Sequence, residues 1–205
     1  MTTYPLTFPN VGIKRSSMRL STATAVTYSP FSGASKAYNH GGQWWEGEVT
    51  FRPTRREDAA LIQAFLLKLK GTYGTFLYGD PDSIALGHQG AGGTILVNGA
   101  SQTGNTMAVD GMTVSSNIAK SGDFFQLGTG ASARLYMFTE DLVSDGSGEG
   151  TAVFEPDLRS SPADNAQLDI TSPVGAFRLI ETSSGWQSDQ NSIYEVTIAF
   201  REALT

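Results

Sequence analysis

Residues 44–81 read WWEGEVTFRPTRREDAALIQAFLLKLKGTYGTFLYGDP, and their reading decides the fold. A strand signal, a helix signal and a second strand signal follow one another without interruption. In residues 45–51, Trp45, Gly47, Val49 and Phe51 fall on one face, and Glu46, Glu48 and Thr50 on the other. That period-two alternation is the mark of a half-buried strand. Pro53 ends the run. Thr54-Arg55-Arg56-Glu57 has the form of a capping box, with the Thr54 hydroxyl accepting from the Glu57 amide and the Glu57 carboxylate reaching back to the Thr54 amide. Beyond it, Ile62, Phe65, Leu66 and Leu69 recur at helical spacing as a single apolar stripe. Lys68 and Lys70 stand where cations complement the helix dipole, and Gly71 is a natural stop. Residues 75–78 read as strand again, and Gly79-Asp80-Pro81 as a turn.

The apolar face of residues 45–51 needs a partner, and the matching alternation lies at the far end of the chain. In residues 192–204, Tyr194, Val196, Ile198 and Phe200 share one face, while Glu195, Thr197 and Arg201 share the other. Such a strand cannot stay unpaired with that face exposed. The two ends are therefore expected to share one sheet, with the middle of the chain inserted between them. This predicts a mainly β protein: a β domain with one α-helix, built from residues 1–87 together with 176–205, carrying an inserted small β-barrel or sandwich of residues 88–175. Two consecutive domains divided near Gly87 are the alternative organisation.

Outside the central stretch, residues 4–28 read as strands and turns, with 20–27 rich in small and β-branched side chains. Pro30, Gly33, Gly41 and Gly42 punctuate residues 29–42, which read as a loop that either reaches a neighbouring subunit or lies mobile on the surface. Residues 83–93, glycine-rich, look like a boundary. In the middle block, strands are expected at 94–97, 106–109, 124–127, 134–138, 151–154 and 167–170. Asn98-Gly99, Asp110-Gly111 and Asp145-Gly146 are expected as turns between them. Residues 176–180 form another strand and 185–191 another turn.

Composition bounds the function. Charged residues make up only 17% of 205 and there are 23 glycines, a mix that suits turn-rich β structure rather than a bundle or a disordered tail. A net charge of -6 argues against a nucleic-acid partner. The absence of cysteine excludes disulfides and thiolate metal sites and fits folding in a reducing cytoplasm. Residues 1–10 lack the pattern of a secretion signal, and no apolar run approaches the ~20 residues of a membrane helix, so no membrane insertion is expected.

No catalytic constellation is visible. His40 and His88 lie far apart in glycine-rich segments, without the convergence a metal site needs. Residues 145–150, DGSGEG, lack the ligand series of a calcium loop and read as a hairpin turn. Glu46 and Glu48 stand about 7 Å apart on one strand face. Carboxylates at such a separation serve glycoside hydrolases, but the outward face of any antiparallel strand carries the same pattern. Tyr38, Trp44 and Trp45 would serve as an aromatic platform for sugar, as core, or as subunit-interface residues, the last being where aromatics are enriched. No cofactor, metal or catalytic residue is assigned.

The run Gln43-Trp44-Trp45-Glu46-Gly47-Glu48-Val49, the helix end Phe65-Leu66-Leu67-Lys68-Leu69-Lys70-Gly71, and Gly74-Thr75-Phe76-Leu77-Tyr78-Gly79-Asp80-Pro81 resemble tail proteins of long-tailed bacteriophages and phage-like particles. Residues 97–100, 120–127, 135–138, 145–148 and 154–159 resemble the same group, so the likeness covers most of the chain. Within it the chain is most similar to distal tail proteins. The resemblance implies a structural virion protein without enzymatic activity, made in the host cytoplasm and located in the virion tail. It implies a β-sandwich with one α-helix as the main domain, and a self-assembled ring of six subunits that joins the tail tube protein to the baseplate or tip hub proteins. The chain departs from that group in position: its extra domain is inserted, where many distal tail proteins append one towards the C-terminal side. A carbohydrate-binding module on the tail tip, contacting host surface glycans, is the alternative function; a glycosidase or other hydrolase is the third.

Overall fold

The computed structural model describes residues 2–82, 93–183, 185–188, 190 and 192–204. In chain order its strands are β1 (Leu6–Thr7), β2 (Ile13–Tyr28), β3 (Ser35–Phe51), β4 (Phe76–Tyr78), β5 (Gly93–Val97), β6 (Thr106–Met112), β7 (Asn117–Ala119), β8 (Phe124–Leu127), β9 (Arg134–Phe138), β10 (Leu142–Val143), β11 (Gly150–Glu155), β12 (Gly175–Leu179), β13 (Gln187–Ser188), β14 (Tyr194–Glu195) and β15 (Thr197–Glu202), with helix α1 (Arg56–Leu69) between β3 and β4. Strand accounts for 46% and helix for 10%, so the mainly β expectation holds.

Six strands form one curled sheet in the order β1-β4-β12-β15-β3-β2. It draws on both ends of the chain: β15 runs antiparallel to β3, with Ile198 opposite Val49 and Phe200 opposite Gly47. Opposite residues share a face, so this register superposes the two apolar faces and a one-residue slip would separate them. Gly47 is fixed by packing. A Cβ there would stand 2.6 Å from Phe200 Cζ and 2.7 Å from the Ser17 carbonyl oxygen; the missing side chain is the room the Phe200 ring occupies.

Helix α1 covers the inner face of this sheet. Ala59, Ile62, Phe65, Leu66 and Leu69 are all buried, against Val49, Phe51, Phe76, Phe177 and Phe200. Phe65 meets Phe76 and Phe8 edge-on, at 5.5 and 5.6 Å between ring centres. Burying side chains of this size contributes roughly 1.5–3 kcal/mol each. The helix start departs from the capping-box expectation. The N-cap is Arg55, without a side-chain cap, and the Thr54 hydroxyl donates to the Arg55 carbonyl instead. Thr54 and Tyr194 exchange both of their backbone hydrogen bonds, which holds Thr54 in the sheet and one position short of the cap. At the other end Lys70, at φ 55, takes the left-handed C-cap, one residue before the expected glycine.

Residues 29–42 are not a loop. Strands β2 and β3 pair out to Tyr28 opposite Ser35, which leaves only residues 29–34 to turn. Gly33, at φ 69, lies in that turn. Gly41, at φ 72, and Gly42 lie in the bulge where the register jumps from Thr22–Gln43 to Thr24–Asn39. His40 is accordingly a strand residue.

Residues 93–169 build a second core. The sheet β5-β6-β11-β9-β8 is closed by residues 166–169, which bridge its two outer strands: Leu96 pairs with Gln167, and Gln126 with Asp169. Closure leaves those strands without the exposed edge that invites further pairing. Its centre is aromatic, with Phe125 against Tyr136, Phe138 and Phe154, and Tyr136 against Phe154. Five of the six strands expected here are present. Residues 167–170 make isolated bridges instead of a strand, and Asp110-Gly111 lies within β6 instead of in a turn. The pairs β7–β10 and β13–β14 were not expected. Residues 83–92, with the boundary and His88, lie outside the described residues.

The two cores touch. Phe124 and Leu135, from β8 and β9, pack into the first core, and Ala176 donates its amide to the Ala133 carbonyl at 3.1 Å.

Candidate functional site

Tyr38, Trp44 and Trp45 all lie on β3, in three different settings. Trp45 points inward and is 4% exposed. Its indole nitrogen donates to the Leu135 carbonyl at 2.8 Å, and its ring lies 5.6 Å from Phe124. The expectation of a subunit-interface role for Trp45 is therefore corrected: it joins two parts of the same chain. Strand alternation puts Trp44 on the opposite, outer face, and Tyr38 lies beyond the bulge, 43% exposed, with the Lys36 ammonium 5.1 Å above its ring.

Among the described residues no helix covers the outer face of the six-stranded sheet. The register aligns Arg19, Glu46 and Arg201 across β2, β3 and β15, and Ser17, Glu48 and Ala199 in the next row. Glu46 is the hub. Its Oε1 accepts from the Trp44 indole at 2.7 Å and from Arg201 at 3.1 Å; its Oε2 accepts from Arg19 at 2.8 and 3.1 Å and from Ser21 at 3.2 Å. The Arg201 guanidinium also lies 5.1 Å over the Trp44 ring. The Trp44 hydrogen bond, followed by that of Arg19, holds the Glu46 carboxyl down at about 2, from an ordinary 4.5. A general acid in glycoside hydrolysis needs the opposite shift. Glu46 and Glu48 do line one cleft, of about 330 Å³, but Glu46 enters it as a group that is ionised near neutrality and already engaged by four partners. The arrangement fixes Trp44 and the base of the β2–β3 hairpin.

Past that hub the hairpin leaves the sheet as a two-stranded arm. Its register sets Val26 opposite Ala37 and Tyr28 opposite Ser35 on one face, and Ala25 opposite Tyr38 and Thr27 opposite Lys36 on the other. Both faces are open: Val26 is 49%, Tyr28 72% and Phe31, at the tip, 98% exposed. The turn is held by the Ser29 and Gly33 amides and by the Ser29 hydroxyl oxygen, which accepts from the Ser32 amide. Between Arg19 and Lys36 the sequence has no charged residue. Sequence reading missed Tyr28, Phe31 and the arginines around Glu46; the uncharged run was the available signal.

Among the described residues no three His, Cys, Asp or Glu side chains converge as a metal site, and no helix is long and apolar enough to cross a membrane. No protein-family model matches the sequence, and no curated protein matches it.

Proposed function

We propose that this chain is a structural subunit of a phage tail, a distal tail protein whose copies close into a ring of six between the tail tube and the tip hub. The observation that carries the reading is the arm. A two-stranded ribbon in water is marginal by itself, and this one leaves Val26 half exposed and Tyr28 and Phe31 largely exposed. Its uncharged run from residue 20 to residue 35 allows close contact without desolvating charge. An arm seated on the next subunit is a head-to-tail contact, and repetition of such a contact closes a ring when the rotation per subunit divides a full turn. A stable contact buries about 1,200–2,000 Å² in total, the area that the neighbouring subunit has to cover.

The test is cryo-electron microscopy of intact particles, paired with native mass spectrometry of the isolated protein. The expected result is one ring of this chain at the junction of tube and tip. A variant with residues 24–39 replaced by an Asn-Gly turn should melt like the parent and be missing from the ring. Isolated copies on the capsid, or particles without the chain, would sink the reading.

A further inference from the structure

Arg134 opens β9 and is buried, 9% exposed. Its Nη1 donates to the carbonyls of Ala131 and Ala133, both at 3.0 Å. Among the described residues no carboxylate pairs with it; the carboxylates that do pair with arginine are Glu46 and Glu202. A buried cation without a counter-charge is costly, and two carbonyls engage only two of the five guanidinium N–H groups. Among the described residues no fully buried side-chain nitrogen lacks a partner, and Nε and Nη2 have none there, so these two atoms are not fully enclosed.

Arg134 lines a pocket of about 190 Å³ together with Leu127, Ser132, Tyr136, Ser160 and Ala166; none of the lining is acidic. Its walls are built. One is the tight turn Gly130–Ser132, tied down by the Ser132 hydroxyl on the Thr129 carbonyl and by the Gln126 side-chain Nε2 on the Gly128 carbonyl, each at 2.8 Å. Gly128, at φ 76, has the Ser132 carbonyl oxygen where a Cβ would come, which keeps the turn close. The other wall is held to the barrel by the Arg159 amide, which donates to the Tyr136 hydroxyl at 3.2 Å.

We infer that Arg134 anchors a carboxylate-binding pocket, and that its ligand is a small hydroxylated carboxylate of the uronic-acid type, free or as a terminal residue of an acidic polysaccharide. The guanidinium fork matches a carboxylate in two parallel hydrogen bonds. One cation balances a monoanion. Ser160 offers a hydroxyl at the rim and Ser132 a hydroxyl oxygen, its proton being held by the Thr129 carbonyl, while Leu127, Tyr136 and Ala166 offer apolar surface to a ring. The volume lies below the ~300–1,000 Å³ of drug-sized sites, so it admits one such unit and no more. The net charge of -6 excludes general attraction of anions as the cause. The pocket lies on the inserted barrel, and the ring contact does not enter the argument.

The test is the melting temperature of the full chain with sodium glucuronate, against equal concentrations of glucose and of sodium chloride, with calorimetric titration for affinity. Glucuronate alone should raise the melting temperature in a concentration-dependent way, as a ligand of the native state must. Arg134→Gln should weaken binding by about tenfold or more. If that variant fails to fold, Ala163→Trp decides: Ala163 is an exposed lining residue, and an indole there should block the mouth and abolish the response without moving the ligand-free melt. A short oligouronate separates the two sources, binding more tightly than glucuronate if a polysaccharide is the ligand and no better if the free acid is. Equal responses to glucuronate and chloride, or an Ala163→Trp protein that responds like the parent, would overturn the proposal.

Discussion

Glu46 gathers donors that the sequence keeps far apart: Ser21 and Arg19 come from 25 and 27 positions away and Arg201 from 155. Alternation alone places Glu46 on the outer face beside Glu48, but spacing along a chain is silent about partners brought in by register. For that reason the glycosidase comparison could be framed from the sequence and only weighed with the hub in view. The hub has a pH signature. A carboxyl whose folded pKa lies below its unfolded value contributes stability that is complete above the unfolded value and is lost as pH falls towards the folded one. For Glu46 that window runs from about 4.5 down to about 2. Arg19 is 74% exposed, so solvent screens much of the pairing, and Glu46→Gln should cost about 1 kcal/mol near neutrality. Thermal melts of parent and variant should differ at about pH 6 and converge at about pH 2. A difference that stays constant between those two conditions would mean that the charge of Glu46 does not stabilise the fold.

Elements were legible where burial imposes a period. The runs at residues 45–51 and 194–200, the stripe of α1 and five strands of the barrel each press one face into a core, and that face writes the alternation into the sequence. The arm has no core beneath it. With both faces in solvent, residues 24–39 show no alternation, and the proline and glycines of residues 29–42 read as a loop although they mark a turn and a bulge. Strands β7 and β10, of three and two residues, are shorter than a recognisable period. The capping box failed for another reason: a tertiary bridge to Tyr194 outweighed a local motif at Thr54. The consequence is a vacant cap. Arg55 has the extended backbone of an N-cap, φ -77 and ψ 168, but no side-chain acceptor. Arg55→Ser should supply one and stabilise the protein by about 0.5–1 kcal/mol, seen as a higher urea midpoint at unchanged slope. An unmoved midpoint would mean that the Thr54–Tyr194 bridge leaves the serine hydroxyl no amide to reach.

At the scale of the whole molecule, the question is whether the inserted barrel is a passenger or a structural member of the sheet that carries it. Spacing along the chain argues for a passenger, since residues 93–169 close their own sheet. The contacts argue otherwise. Gln43 donates to Glu155 at 2.7 Å and accepts from the Asp157 amide at 3.0 Å, and Trp45 reaches Leu135. Deepest of all, Arg159 holds Glu202 through two hydrogen bonds, at 2.6 and 3.1 Å, where the Glu202 side chain is 1% exposed and also accepts from the Trp45 amide. Arg159 follows the last barrel strand of its segment, whereas Glu202 ends β15, so the pair ties the two cores at their buried junction. Arg159→Met should therefore cost about 3–5 kcal/mol, because it strands a carboxylate in the interior. The double variant Arg159→Met with Glu202→Leu should regain most of that loss, because it removes the stranded charge as well. Calorimetry should show one transition for the parent, and Arg159→Met should lower it as a whole. A melt that splits into two, with only the barrel's transition shifted by Arg159→Met, would show the insertion to be a passenger after all.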